Sequence, residues 1–432
     1  MAVVVAPPPS ARSVPQNVGM SDDVTAELPI VVVEQAPEPS VIATHAAPRR
    51  RRRRWPWVLI AVLLVVAIAL TTSGLWYISG LIGDGARVNR ADVAFPMSVT
   101  SVDGTRISYQ GSDGGWDDQG LIGIATAEGG YVQTADPDTT DRGDTVSGTR
   151  TVTADVLGTP PVAGDAASLD GWYFPRNPKL GLGLDYADVT YDSPLGPTPA
   201  WLIPGTSSTW VVFTHGRGAT PLEGLRMAST IAPLGYPMLL IRYRNDALAP
   251  AGNGYGQFGV DEWQDLEAAV QYALDHGAEH VVLAGASMGG SISLAFLRNS
   301  PLADRVVGAF LDAPLSSFPQ VVRSGAQGMG LPGFVADAGL AVASWRYGFD
   351  TAATDYTAEA AAFTTPMLIV QGTVDTTVPA AVNIDFAAAA ANPSTVSLEL
   401  FEGAGHVMSW NVDRPRYEGL LRGFLASVAP TS

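Results

Sequence analysis

The chain has 432 residues, 47% of them apolar, a net charge of −17 and no cysteine. Such a composition supports a sizeable core and argues against global disorder, and its acidic balance excludes nucleic acid as a partner, which needs a basic face. The missing cysteines remove disulfides, thiolate metal sites and cysteine nucleophiles together.

Residues 1–48 are rich in Pro, Ala and Val and lack helical or strand periodicity, as expected of a disordered tail. Six of the 25 basic residues then fall in one run, Arg49–Arg54, which leaves 19 basic against 42 acidic residues elsewhere. No charge occurs from Trp55 to Gly83, and Val58–Leu70 is wholly apolar. A transmembrane helix over residues 55–80 is expected, with Trp55, Trp57, Trp76 and Tyr77 at its ends. Because the arginines lie only on the N-terminal side, the positive-inside rule puts residues 1–54 in the cytoplasm and the rest outside the cell membrane. A cleaved signal peptide is the rival reading, but its apolar region would begin unusually late and no Ala-x-Ala site follows.

Residues 84–160 are rich in Gly, Asp and Thr, with short strand-prone runs at Arg106–Tyr109, Leu121–Ala125 and Tyr131–Thr134. Turn signals separate these runs (Asp103-Gly104, Asp113-Gly114-Gly115, Gly129-Gly130), so this stretch reads as a small β-rich region or a linker without chemistry. From about residue 185 strands alternate with helices, the rhythm of a doubly wound α/β domain over 185–428. Strands are predicted at Ala187–Tyr191, Pro199–Ile203, Trp210–Thr214, Pro237–Tyr243, His280–Gly285, Val306–Leu311, Pro366–Gln371 and Ser397–Phe401. Helices are predicted at Glu223–Leu234, Val260–His276, Met288–Arg298, Ala380–Ala391 and Arg414–Val428. The interval 313–365 is too long for a simple connection; it holds helix-like pieces at Phe318–Met329 and Gly333–Tyr347 and reads as a cap.

Gly285-Ala286-Ser287-Met288-Gly289 fits G-x-S-x-G between an apolar strand and an amphipathic helix, the setting in which a serine is pushed out over a sheet edge as a nucleophile. A serine hydroxyl needs a base. His406 is the histidine that lies in a loop after the last strand and C-terminal to an acid, matching the chain order Ser, Asp, His. Asp375, after the strand at Pro366–Gln371, is the expected acid, and Asp312 is its alternative. The backbone amides of Met288 and Arg217 are candidate oxyanion donors. His215 and Gly216 are placed as substrate-facing loop residues, with His215 a loop stabiliser rather than a base. Two other patterns are set aside. His276 and His280 are separated by Gly277, which breaks the helix a metal pair would need. Gly254–Gly259 matches G-x-G-x-x-G but is not at a strand tip.

On Phe213-Thr214-His215-Gly216, Phe258–Leu266, Gly285–Gly290, Leu311-Asp312-Ala313-Pro314, Gln371–Pro379 and Gly403–Met408, residues 185–428 resemble the α/β-hydrolase superfamily, specifically its prolyl-oligopeptidase-like, membrane-anchored serine hydrolases. The resemblance implies a mostly parallel eight-stranded sheet with helices on both faces and a small cap, here preceded by the transmembrane helix. It also implies a Ser287, Asp375, His406 triad and an oxyanion hole at Arg217 and Met288. One departure is Arg242-Tyr243-Arg244-Asn245, where many relatives have Asp-Tyr-Arg-Gly. Hydrolysis of a carboxylic ester or related acyl bond is expected, without cofactor or metal, on a small-molecule or lipid acyl substrate. An extracytoplasmic peptidase, an acyltransferase and an inactive binding module are the alternatives.

Overall fold

The computed structural model describes residues 53–88, 94–112, 120–142, 146–154, 157–348, 350–392 and 394–429. The expected tail, most of the arginine run and the turn signal at Asp113-Gly114-Gly115 lie outside the described residues. Helix α1, Trp55–Ala86, has no buried residue before Ser79, and then buries Ser79, Ile82, Gly83 and Ala86. Those positions share one face of a 3.6-residue helix.

Six strands follow: β1 (Met97–Asp103), β2 (Arg106–Gly111), β3 (Ile122–Thr126), β4 (Tyr131–Arg142), β5 (Val146–Val152) and β6 (Ala166–Asp170). They close into a barrel in the order β1-β2-β5-β4-β3-β6, with antiparallel pairings throughout. The β-rich region is therefore a closed barrel that runs past residue 160. Closure depends on β6, which pairs with both β1 and β3. Its sequence Ala-Ala-Ser-Leu-Asp has no β-branched or aromatic residue, so propensity gives no sign of it. Strand β4 outruns its predicted span because register shifts on either side of Pro137 let the proline pass.

After α2 (Pro178–Leu182) come β7 (Ala187–Ser193), β8 (Gly196–Ile203), β9 (Thr209–Thr214), α3 (Leu225–Ile231), β10 (Met238–Ile241), α4 (Trp263–Asp275), β11 (His280–Ala286) and α5 (Met288–Asn299). The chain continues through β12 (Val306–Asp312), α6 (Phe318–Gly328), α7 (Gly333–Tyr347), β13 (Met367–Gly372), α8 (Ala380–Ala389), β14 (Val396–Phe401), α9 (Ser409–Val412) and α10 (Arg414–Val428). The eight strands β7–β14 form one mixed sheet, ordered β14-β13-β12-β11-β9-β10-β8-β7. Five pairings are parallel and the two involving β8 are antiparallel. Each predicted strand of this sheet is present within a few residues. Helix α3 is shorter than expected, because 3₁₀ turns flank it and Pro233 and Gly235 end it.

Both sheet faces are covered. One apolar cluster packs Leu283, Ile292 and Phe296 with α1's Ile82 and α7's Leu340. The other joins Val211, Phe213, Tyr417 and Trp410 to the barrel residues Val99, Ile107 and Ile124. Polar ties cross that second seam. Asn411 donates to the carbonyls of Leu121 and Gly171, at 2.5 and 2.8 Å, and accepts from Arg226 at 2.7 Å. Replacing Asn411 by Ala removes all three of these bonds, although Arg226 keeps the Val407 carbonyl, and is expected to cost about 1–3 kcal/mol in urea unfolding; a loss within about 0.5 kcal/mol, the scatter of ordinary surface substitutions, would show the seam to be held by apolar packing alone.

Candidate active site

The site begins with a backbone constraint. In the register of β11, Gly285 lies beside Thr214 of β9 and Ala286 beside Asp312 of β12, so the chain leaves the sheet between two strand ends. It turns at once into α5 through Ser287, whose φ of 51° and ψ of −116° are forced on a non-glycine residue. Such a conformation costs about 1–3 kcal/mol and persists only where neighbours over-determine it. Those neighbours are close: a Cβ on Gly289 would sit 2.0 Å from the Thr214 carbonyl oxygen, and one on Gly285 would sit 2.7 Å from that of Gly289. The glycines of the motif are therefore required by packing.

Ser287, Asp375 and His406 come together at the C-terminal ends of the parallel strands. His406 Nε2 is 2.8 Å from Ser287 Oγ, and its Nδ1 is 2.7 Å from Asp375 Oδ2. The Asp375 carboxylate is buried; its Oδ1 accepts from the amides of Thr377 and Val378, both at 2.8 Å, and its Oδ2 also accepts from Gln371 Nε2 at 3.1 Å. Gln371 is fixed in turn by Asn383, which donates to its Oε1 at 2.6 Å, and Asn383 accepts from Ser316 at 2.6 Å. A carboxylate so supplied with donors is held in one orientation toward His406. Sequence reasoning misses Gln371 and Asn383; the one local signal is the polar Gln371 near the end of the otherwise apolar, buried β13.

Asp312, the alternative acid, ends β12 beside Ala286, but the carboxylate bonded to His406 is that of Asp375. Asp312 is buried against Tyr417, and its Oδ1 has no hydrogen-bond partner. Burial raises its pKa to about 7, against the opposing pull of Arg226 and the Tyr417 hydroxyl.

His215 is not substrate-facing. Its ring is fully buried and stacked on Tyr243, Nδ1 meets the Gly216 carbonyl at 2.8 Å and Nε2 meets Asp246 at 2.9 Å. Burial pulls its pKa down, but the Asp246 charge and hydrogen bond outweigh that and raise it. Gly216 backs onto Ser287, and its amide is spent on buried Glu223 at 2.7 Å, so it is not an oxyanion donor. Both residues brace the loop that carries Arg217. Glu223 lies 3.7 Å from Arg226, whose Nη1 donates to the Val407 carbonyl at 2.6 Å, so the Gly216 loop and the His406 loop share one support. Arg217 and Met288 both line the cavity beside Ser287. As first residue of α5, Met288 presents an amide without an intrahelical acceptor.

The segment Arg242–Asn245 is structural. The Tyr243 hydroxyl donates to the carbonyls of His215 and Gly216, both at 3.2 Å; Arg244 pairs with buried Asp265 at 2.6 Å; and the Asn245 side-chain Oδ1 accepts from the amides of Gly252 and Gly254. The following Gly254–Gly259 loop is no phosphate cradle, because its amides are already used. Gly254 donates to Asn245, Gly256 to the Ala86 carbonyl, and Gln257 and Gly259 to Glu262.

The cavity at Ser287 measures about 280 Å³ and is mainly apolar, lined by Phe258, Met288, Leu315, Phe318, Val321, Val322 and Val378 with α1's Leu81, Ile82 and Gly85. Phe318, Val321 and Val322 come from α6 in the 313–365 insertion, which thus roofs the site.

No family model and no curated protein matches the chain. Among solved structures, an esterase of Pyrococcus furiosus is 20% identical with a TM-score of 0.48, over 60% of this chain and 98% of that one. An esterase of a Rhodococcus species is 17% identical with a TM-score of 0.40, over 56% and 99%. A lidless α/β serine hydrolase of Xanthomonas campestris is 15% identical with a TM-score of 0.40, over 57% and 97%.

A pH test follows from Asp312. The folded protein holds this proton above the ordinary 3.8 of an unfolded chain, so stability is lost as pH rises from about 4 to about 7. Asp312→Asn is expected to lose about 2 kcal/mol less than the wild type between pH 5 and pH 7 in denaturant unfolding. Identical slopes for the two proteins would assign the pH dependence to other groups.

The strand order of the mixed sheet, the serine-bearing turn between β11 and α5, and the acid and histidine on the loops after β13 and β14 together make this an α/β-hydrolase fold.

Proposed function

We propose that the protein is a serine hydrolase that cleaves carboxylic esters by way of an acyl-enzyme, with Ser287 as nucleophile, His406 as base and Asp375 as its orienting acid. The observation that carries this reading is the pair of contacts made by one imidazole, 2.8 Å to Ser287 Oγ and 2.7 Å to Asp375 Oδ2. Bonding of Nδ1–H to a carboxylate leaves Nε2 with its lone pair toward the serine hydroxyl. Ser287 Oγ attacks the carbonyl carbon as its proton passes to Nε2, and the carbonyl π-electrons move onto oxygen. The amides of Met288 and Arg217 receive that oxyanion. Collapse expels the alkoxide, which takes the proton from Nε2. Water then repeats the sequence on the acyl-serine, and the free acid leaves.

The apolar lining of the cavity supports an ester of an apolar acid. Helix α1 is apolar and has no buried residue over its first two dozen residues, long enough to cross the hydrocarbon core. We read it as a single-pass anchor with its N-terminus in the cytoplasm, following the arginine run, and the catalytic domain on the other side.

Purified full-length protein is expected to turn over p-nitrophenyl acetate and butyrate, and Ser287→Ala to lower kcat by about 10⁴-fold or more, since the residual activity of triad knockouts is only what binding and the oxyanion hole supply. Equal turnover by the two proteins contradicts the assignment.

A further inference from the structure

The C-terminal end of α1 reaches the cavity that holds Ser287, where Leu81, Ile82 and Gly85 form one side of the lining. The rotation of the helix is fixed there. Gly83 faces the Tyr347 ring so closely that a Cβ would lie 2.1 Å from it, and Gly339 receives Ile78 in the same manner. Arg346 donates to the Trp76 carbonyl at 2.7 Å and to Ser79 Oγ at 2.6 Å, with its guanidinium 3.7 Å from the Trp76 ring centre. The Ala86 carbonyl accepts from the Gly256 amide at 2.7 Å. A helix held by interlocked small residues, a charged clamp and a backbone bond presents the same three side positions to the cavity each time it folds.

We propose that the end of α1 is the acyl-chain wall of the site, so that Leu81 and Gly85 set the length of acyl chain accepted and the substrate is an ester of a medium-chain apolar acid. The inference rests on Ser287 being the acylated residue. The cavity of about 280 Å³ lies at the small end of ligand pockets, which suits a medium chain better than a long one. Phe318, Val321 and Val322 of α6 line the same cavity, so two helices, α1 and α6, supply apolar walls to the space that Ser287 also borders. Gly85 borders the cavity at an exposed position with nothing within 4 Å of where a Cβ would project, so a side chain there has room to reach the mouth of the site. Each buried methylene of the acyl chain is worth about 0.8 kcal/mol, close to fourfold in kcat/KM, so a blocked wall is read directly in a chain-length series.

The test uses full-length protein in detergent micelles and p-nitrophenyl esters from acetyl to dodecanoyl. For the wild type, kcat/KM is expected to rise to a maximum at six to ten carbons. Gly85→Leu, which fills the open space and raises helix propensity, is expected to lower the octanoyl-to-acetyl ratio at least tenfold. Leu81→Ala, at a half-exposed position, is expected to move the maximum to longer chains, and this second change in the opposite direction guards against a folding defect in the first. If the wild type hydrolyses esters through Ser287 but both variants keep its chain-length profile, the wall assignment fails by itself. If Ser287→Ala matches the wild type on every ester, the functional reading fails and takes the wall with it.

Discussion

Everything at the site depends on how closely three strand ends approach one turn. Ser287 can leave β11 with φ at 51° only because Gly289 lies flat against the Thr214 carbonyl and Gly285 against Gly289. The parallel registers of β9, β11 and β12 bring those ends level. Two consequences come from the same constraint. The hydroxyl is lifted off the sheet toward His406, and the first amides of α5 point at the space beside it.

Around that turn, buried charges hold loops rather than face solvent. Glu223 takes the Gly216 amide, Asp246 takes His215, Glu262 gathers Gln257 and Gly259, and Arg226 links the His406 loop to Asn411 and so to the barrel seam. Burial raises the pKa of Glu262 to about 7 despite its backbone donors and the Arg244 charge, and that of Asp312 to a similar value. The protein thus accepts desolvated carboxylates where they position the loops next to Ser287.

The parts of this arrangement that were legible in the sequence are those set by periodicity and local chemistry. Apolar runs such as Val281–Ala284 and Met367–Val370 fit strands covered on both faces, and Gly285–Gly289 carries the pattern of its turn. Chain order points to Asp375 and His406, and the fold places His406 between Ser287 Oγ and Asp375 Oδ2. What stayed hidden is long-range. Barrel closure depends on Ala166–Asp170, whose residues carry no strand preference. Gln371 and Asn383 act through partners that only the tertiary structure supplies. His215 was read as facing substrate because it sits at a strand end, yet Asp246, 31 residues further on, closes it off. The packing of α1 against α7 was invisible for the same reason, since an apolar helix end shows no sign of what it touches.

The proposed chemistry stands or falls on the reactivity of one hydroxyl, that of Ser287. A fluorophosphonate probe incubated with the full-length protein, followed by peptide mapping in a mass spectrometer, tests it most directly. Stoichiometric adduct on the peptide containing Ser287, abolished in His406→Ala, is the predicted result. An unlabelled protein, or adduct spread over other serines with Ser287 intact, contradicts the account.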